Sequence, residues 1–324
     1  MESAVSYTPE ELAQLLRVSK LTVYDLIKKG ELPAYRVGKQ MRVDSADLDQ
    51  YKRKMRMSEN ADVRFASDRD SRGGERSAVP TPAAAASDTN TIVITGQDHL
   101  LDLVARHMEE RSSAKRPLRS MMGSLDGLFS LYRGESDLIS THLFDGDSGE
   151  YNLPYIRRIL VGFPYVVVHL AERTAGLYVT KGNPHGIRNW ADLTVPGIRL
   201  ANREKGSGAR VLLEEELRIR HLNAASILGY EREFRSHMSV ASQVAAGNAD
   251  VGVGSERGAL SADVDFIPMR QERIDLVMLK KPGNREWINE LKALLASPEF
   301  KAELGRLGGY DSTSTGKVIG EYGK

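Results

Sequence analysis

The sequence predicts an α/β protein in two folded parts: a small N-terminal helix-turn-helix module and a larger region where strands alternate with helices. Residues 7 to 57 carry two short amphipathic helical patterns joined by a tight turn. From Thr91 onward, short β-rich runs alternate with runs of helical period, the pattern of an α/β domain with largely parallel sheet. Between Ser58 and Asn90 both patterns collapse into charged and small residues with Gly-Gly and two prolines, a composition without a core of its own. The expected boundaries are a module over 1–57, a flexible linker over 58–90 and a second domain over 91–324.

Bulk composition narrows the function classes. The 324 residues suit two or three domains, at roughly 150 residues per domain. Hydrophobic residues at 41% and charged residues at 27% are ordinary for a globular chain. A net charge of +1 leaves no chain-wide field for nucleic acid or membrane, so any nucleic-acid surface must be local. With no cysteine, disulfides, thiolate metal sites and a cysteine nucleophile are excluded. Met1–Tyr7 passes directly into a helix-start signal without a secretory pattern, and no apolar run reaches the ~20 residues of a membrane span. A cytoplasmic location is expected.

In the module, Thr8 is placed to cap a helix, Pro9 suits its first turn, and Glu11 completes a capping box. Leu12, Ala13, Leu15 and Leu16 give that helix one apolar face. Ser19 caps a second helix, Lys20 to Lys29, which Gly30 stops. Its outward positions include Lys20, Thr22, Tyr24, Asp25 and Lys28, of which the amino and hydroxyl groups suit phosphates and base edges in a major groove. A hairpin follows, turning at Gly38-Lys39 and carrying Arg36, Lys39 and Arg42 as a basic wing. Asp44 is placed to cap a last helix, from which Leu48 and Tyr51 return to the core. Over YTPEELAQLLRVSKLTVYDLIKKGELPAYRVGKQMRVDSADLDQY the module resembles the excisionase-family, MerR-like winged helix-turn-helix, most specifically in ELPAYRVGKQMRV. The resemblance implies binding to double-stranded DNA through Lys20, Thr22, Tyr24, Lys28, Arg36, Lys39 and Arg42. A small helical domain serving only protein contacts is the alternative.

The larger region reads as TIVIT strand (91–95), a helix over 98–109, PLRSMMG strand, LDGLFSLYRG helix and SDLISTHL strand. The β-rich YVVVHLAERTAGLYVT follows, then the strand IRLANR, the helix GARVLLEEELRIR, a helix over 239–246, the strand ADVGVGS, and closing helices in REWINELKALLASPEFKAELGRL. Three strand-to-helix junctions invite a ligand, because open α/β sheets place ligands at strand carboxyl ends beside helix N-termini. They are Thr95-Gly96-Gln97-Asp98, the turn at Ser124, and Asn202 to Arg210, where Arg203, Ser207, Gly208 and Arg210 add guanidinium forks, a hydroxyl and close backbone approach. Ser236-His237, at another helix start, completes the candidate ligand set. Each junction also reads as an ordinary turn needing glycine or a cap, and a lone histidine is more often structural. The GSG loop lacks the Gly-Lys-Ser/Thr ending of a P-loop. No catalytic triad, metal-ligand cluster or paired-carboxylate motif stands at diagnostic spacing, so neither an enzyme nor a resident cofactor is expected.

The stretches THLFDGDSGEYNLPYI, GLYVTKGNPHGIRNWADL, GIRLANREKGSGARVLLEEEL and HMSVASQVAAGNADVGVGS resemble the PBP-like domain related to periplasmic molybdate-binding proteins, over most of residues 91–310. The resemblance implies a bilobed, type II fold that closes on a small ligand, commonly molybdate or tungstate. Ala209 departs from the family's usual threonine and removes one hydroxyl donor. The joint expectation is a ligand-responsive transcriptional regulator acting as a homodimer or higher homo-oligomer. A regulator sensing an organic metabolite, a transporter's solute-binding protein and a recombination accessory factor are the alternatives. Asp98 and Asp126 bear on the choice, since each repels a dianion unless turned away or engaged in capping.

Overall fold

The capping box read from the sequence closes the first helix. The Thr8 backbone N–H donates to Glu11 Oε2 at 2.8 Å, and the Glu11 N–H donates back to Thr8 Oγ1 at 3.3 Å. The structure is a computed structural model that describes residues 6–16, 23, 27, 32–37, 40–44, 47–48, 91–111 and 115–323. It divides into two compact units, Met1–Thr81 and Pro82–Lys324. In the first, β1 (Ser6–Tyr7), α1 (Pro9–Leu16), β2 (Tyr35–Val37) and β3 (Gln40–Asp44) surround a small core of Leu12, Val23, Leu32, Val43 and Leu48. The hairpin β2–β3 is present with Val37 opposite Gln40. It gains a third strand that the sequence did not announce, β1, pairing Tyr7 with Val43. Arg42 donates to Ser6 Oγ at 3.3 Å, and Asp44 accepts from the Tyr35 hydroxyl at 2.7 Å. Of the expected DNA contacts, Lys20, Thr22, Tyr24, Lys28 and Lys39 lie outside the described residues, as does the linker 58–90; Arg36 is described only as backbone of β2.

The second unit begins with β4 (Thr91–Thr95), α2 (Leu100–Arg111), β5 (Arg116–Ser120), α3 (Ser124–Arg133), β6 (Leu138–Thr141), α4 (Leu153–Ile159) and β7 (Tyr165–Val179). It continues with β8 (Leu200–Arg203), α5 (Gly208–Ile219), β9 (Glu233–Phe234), α6 (His237–Ala245), β10 (Val251–Ser255), α7 (Glu256–Leu260) and β11 (Asp265–Leu279). It ends with α8 (Arg285–Ala296), α9 (Pro298–Arg306) and β12 (Val318–Tyr322). The sheet order is β5-β4-β6-β11-β7-β10-β8-β9, with β12 also on β7.

Two lobes share this sheet. In the first, β4, β5 and β6 run parallel beside the early half of β7 and the late half of β11. Successive residues of β7 alternate between its two cores: Val166, Val168 and Leu170 face α2, α8 and α9, while Tyr165 and Val167 face α3 and α4. A strand covered on both faces reads as a continuous apolar run, which is why YVVVHLA carries no polar alternation. In the second lobe, the late half of β7 pairs with β10, which pairs in turn with β8, with α5 on one face and α6 and α7 on the other.

The two 15-residue strands β7 and β11 pair antiparallel along nearly their whole length and are the connections between lobes. Three expectations need correcting here. The sheet is mixed rather than largely parallel, because the lobe-to-lobe strands run antiparallel. The chain does not close on helices: after α9 it returns as β12 against β7. A 15-residue strand also occupies Asp265–Leu279, which had no strand reading, because Pro268, Arg270, Gln271, Glu272, Arg273 and Asp275 interrupt its apolar pattern where it crosses between lobes. Its register shifts twice there, between Pro268 and Arg270 and between Ile274 and Asp275, as bulged strands do at bends.

Candidate functional site

The strand ends singled out by the sequence meet in the cleft between the lobes. From the first lobe come the β4–α2 loop with Gly96, Gln97 and Asp98, the start of α3 at Gly123-Ser124, and His142 after β6. From the second come the β8–α5 loop, Arg203 to Gly208, and the start of α6 at His237. Arg173 of β7 and Glu272 of β11 form the floor between them.

The lobes touch through specific polar contacts. Arg203 Nη2 donates to Gln97 Oε1 at 2.5 Å, and Gln97 Nε2 donates to Glu204 Oε1 at 2.8 Å. The Leu125 N–H donates to the Gly206 carbonyl at 3.0 Å. Two glycines permit this approach. A Cβ on Gly123 would lie 3.2 Å from the Gly206 carbonyl oxygen, and one on Gly208 would lie 2.0 Å from the His142 ring.

Charge is distributed unevenly across the cleft. Arg173 is buried and donates through Nη1 to Asp98 and through Nε to Glu272. Asp98 is further engaged by the Leu100 N–H at 2.8 Å, as a cap for α2, and by the Tyr310 hydroxyl at 3.2 Å. Burial pushes the Glu272 carboxyl upward, and Arg173 only partly offsets it. Burial also raises Glu204, but hydrogen bonds from Arg203 and Gln97 outweigh that and leave its pKa lowered. His142, desolvated and facing Arg173 and Arg203, is pushed down to about 3. His237 is driven well below the ordinary histidine range by burial, then by Arg203 and Arg173. Both imidazoles are therefore neutral at physiological pH.

The sequence-derived residues separate into two groups. Gln97, Asp98, Ser124, Arg203, Ser207, Gly208 and His237 stand on the loops and helix starts that bound the cleft. Ser207 also caps α5, accepting from the Arg210 N–H at 3.4 Å, and donates to the Glu204 carbonyl at 2.8 Å. The others have their polar atoms engaged elsewhere. Thr95 shares a 2.6 Å hydrogen bond with Ser136 inside the first lobe. Asn202 donates to the Tyr230 carbonyl at 2.9 Å and accepts from the Arg203 N–H at 2.9 Å. Arg210 pairs with Glu214 at 2.7 Å and stacks 4.2 Å over the Tyr230 ring. Ser236 is exposed and closes a capping box with Ser239. Asp126 is exposed on the first turn of α3. Sequence reasoning missed His142, Arg173 and Glu272. The last two come from mid-strand positions about a hundred residues apart that only strand pairing joins.

This architecture, two lobes hinged on a pair of long antiparallel strands with polar loops converging between them, defines a two-lobed binding-protein fold. The chain belongs to the family described as the PBP superfamily domain, which it matches over residues 105–296, and carries a helix-turn-helix domain over residues 6–56. It is 46% identical to the uncharacterized protein YvgK of Bacillus subtilis (strain 168), over 98% of this chain and 99% of that protein. An uncharacterized Clostridium pasteurianum protein from the 5′ region of a 2Fe-2S ferredoxin gene is 44% identical over 34% of this chain and 99% of its own length. Among solved structures, EhuB in complex with hydroxyectoine matches with a TM-score of 0.51 at 15% identity, over 70% of this chain and 93% of EhuB, a likeness of fold. Among the described residues no helix is long and apolar enough to cross a membrane, and no group of three or more His, Asp or Glu side chains is placed to hold a metal ion.

Proposed function

We propose that this protein is a cytoplasmic, ligand-responsive transcriptional regulator that binds double-stranded DNA through its helix-turn-helix and senses a small anion in the interlobe cleft. The observation carrying this reading is the union in one chain of a helix-turn-helix domain and a two-lobed domain whose cleft contacts, Gln97 with Arg203 and Glu204, join the lobes. Such contacts make closure sensitive to a ligand that binds both lobes, and closure can bias how two protomers present their DNA-binding helices. One small winged module buries too little surface for selective binding alone, so the active species is a homodimer or higher homo-oligomer. Lys20, Thr22, Tyr24, Lys28, Arg36, Lys39 and Arg42 are its DNA contacts. The cleft performs no chemistry in this reading.

Molybdate or tungstate is the favoured ligand. The repulsion expected from Asp98 is relieved because its carboxylate caps α2 and pairs with Arg173. The start of α3, where Gly123 offers no side-chain cap, presents backbone N–H groups suited to oxyanion oxygens, beside Ser124. Thermal melts of metal-free protein against molybdate, tungstate, sulfate, phosphate and small organic acids test this. A ligand at about 100 times its Kd stabilises the folded state by about 2.7 kcal/mol. A rise with molybdate or tungstate alone supports the oxyanion reading, and a rise only with an organic acid moves the ligand to a metabolite. DNA-binding titrations with and without the stabilising ligand test the regulator; unchanged affinity would sink it.

A further inference from the structure

Two imidazoles stand at the cleft, one from each lobe. His142 follows β6 in the first lobe and His237 is the first helical residue of α6 in the second. They share Arg173 and Arg203 as electrostatic neighbours, and each charged form would repel the next. His237 Nδ1 is buried without a hydrogen-bond partner. A buried polar atom of this kind is destabilising unless something satisfies it. His142 Nδ1 lies 3.3 Å from Ser124 Oγ, which in turn accepts the His142 backbone N–H. With the Ser124 hydroxyl donating to Nδ1, the hydrogen of His142 stands on Nε2. Nε2 is directed at the first turn of α5, where a Cβ on Gly208 would come within 2.3 Å of it.

We propose that His142 and His237 are ligand-contacting residues, one from each lobe, which donate neutral N–H hydrogen bonds to the bound oxyanion through Nε2 and Nδ1 respectively. The proposal rests on the oxyanion reading above and deepens it by naming donors that single-motif inspection does not find. Neutral donors suit this cleft. Arg173, Arg203, Asp98 and His99 act directly on the imidazoles, and Glu272, Glu204, Tyr178 and Tyr310 act in turn on those arginines or on Asp98. Both guanidinium groups already have carboxylate partners, so hydrogen bonds rather than free positive charge remain for the ligand. Placing one donor on each lobe makes the ligand itself a bridge that favours closure.

The test is calorimetric titration of the full chain with sodium molybdate at pH 6.5 and 8.0, for wild type, His142→Leu, His142→Gln, His237→Leu and His237→Asn. The amide nitrogen of glutamine stands near the position of Nε2, and that of asparagine near Nδ1. Each leucine variant is expected to weaken binding about tenfold, from one lost donor to a charged acceptor. Each amide variant should recover to within about threefold of wild type, and affinity should be the same at both pH values. Leucine variants that bind as wild type, or amide variants as weak as leucine, would overturn the assignment. Tenfold tightening per unit of falling pH would show that imidazolium is required and overturn the neutral-donor assignment. No molybdate binding by wild type would overturn the oxyanion reading itself, and this proposal with it.

Discussion

Arg173 and Glu272 stand opposite each other in the register of the two long antiparallel strands, and their side chains pair in the buried floor of the cleft. Asp98 joins them from the first lobe, so one guanidinium serves two buried carboxylates at the point where the lobes are hinged.

Replacing Arg173 with methionine removes the only positive charge in this triad and leaves both carboxylates buried. Breaking a buried pair from one side costs about 3–5 kcal/mol. The expected result is a fall in Tm of the order of 10 °C by calorimetry. Glu272→Gln should be far milder, since burial already favours the neutral carboxyl. Its raised folded pKa means that the Glu272 contribution is complete below the ordinary carboxylate range and is lost as pH rises through the folded value. In Glu272→Gln that part of the pH dependence disappears.

Gly208→Ala tests whether the lobes must approach as closely as they do here. The added Cβ meets the His142 ring at 2.0 Å, and Gly208 has no unusual backbone angle to complicate the substitution. Overpacking of about 1–3 kcal/mol falls on the closed form. Ligand affinity should weaken by roughly 5- to 150-fold, while the Tm of ligand-free protein changes little if the lobes can open to relieve the clash. A large loss of Tm with unchanged affinity would contradict that.

Gln97 bridges the lobes by accepting from Arg203 and donating to Glu204. Gln97→Ala should weaken ligand binding by roughly 5- to 30-fold, corresponding to about 1–2 kcal/mol of closure contacts. Small-angle scattering of the ligand-free variant should show a larger radius of gyration than wild type. Identical scattering and affinity would mean that these contacts do not hold the lobes together.

The two cleft histidines set an acid limit on stability. The folded pKa of His142 is depressed to about 3 from an ordinary 6.5, so the unfolded chain binds a proton that the folded protein refuses between those values. The stability it contributes is complete above pH 6.5 and is lost as pH falls toward 3. Denaturant midpoints measured from pH 7.5 to 4.5 should decline, and His142→Gln with His237→Asn should flatten the decline. An unchanged slope in the double variant would show that the acid sensitivity lies elsewhere.

Much of this protein was legible without coordinates because its signals are local. The Thr8–Glu11 capping box, the hairpin through Arg36 and Arg42, the strand TIVIT and the GSG loop that starts α5 each depend on residues within a few positions of one another. Backbone sterics, capping and hydrophobic period operate at that range. Family motifs likewise name the cleft loops because each is a contiguous stretch. Even so, one sequence motif mixed two physical roles. In Asn202–Arg210, Arg203 reaches across to Gln97 while Asn202 and Arg210 turn inward to hold Tyr230.

The sequence by itself determined the helix-turn-helix, the α/β alternation and the loops that carry candidate ligand groups, since those follow from neighbours along the chain. Only the tertiary structure decided that Asp265–Leu279 is a strand, because its charged residues are tolerated by pairing with β7 and by partners such as Arg173. Tertiary structure alone also brought His142 beside Gly208 and placed His142 and His237 among the same arginines. Those relationships depend on how two lobes meet, and a meeting between residues as much as a hundred positions apart leaves no period or spacing in one sequence.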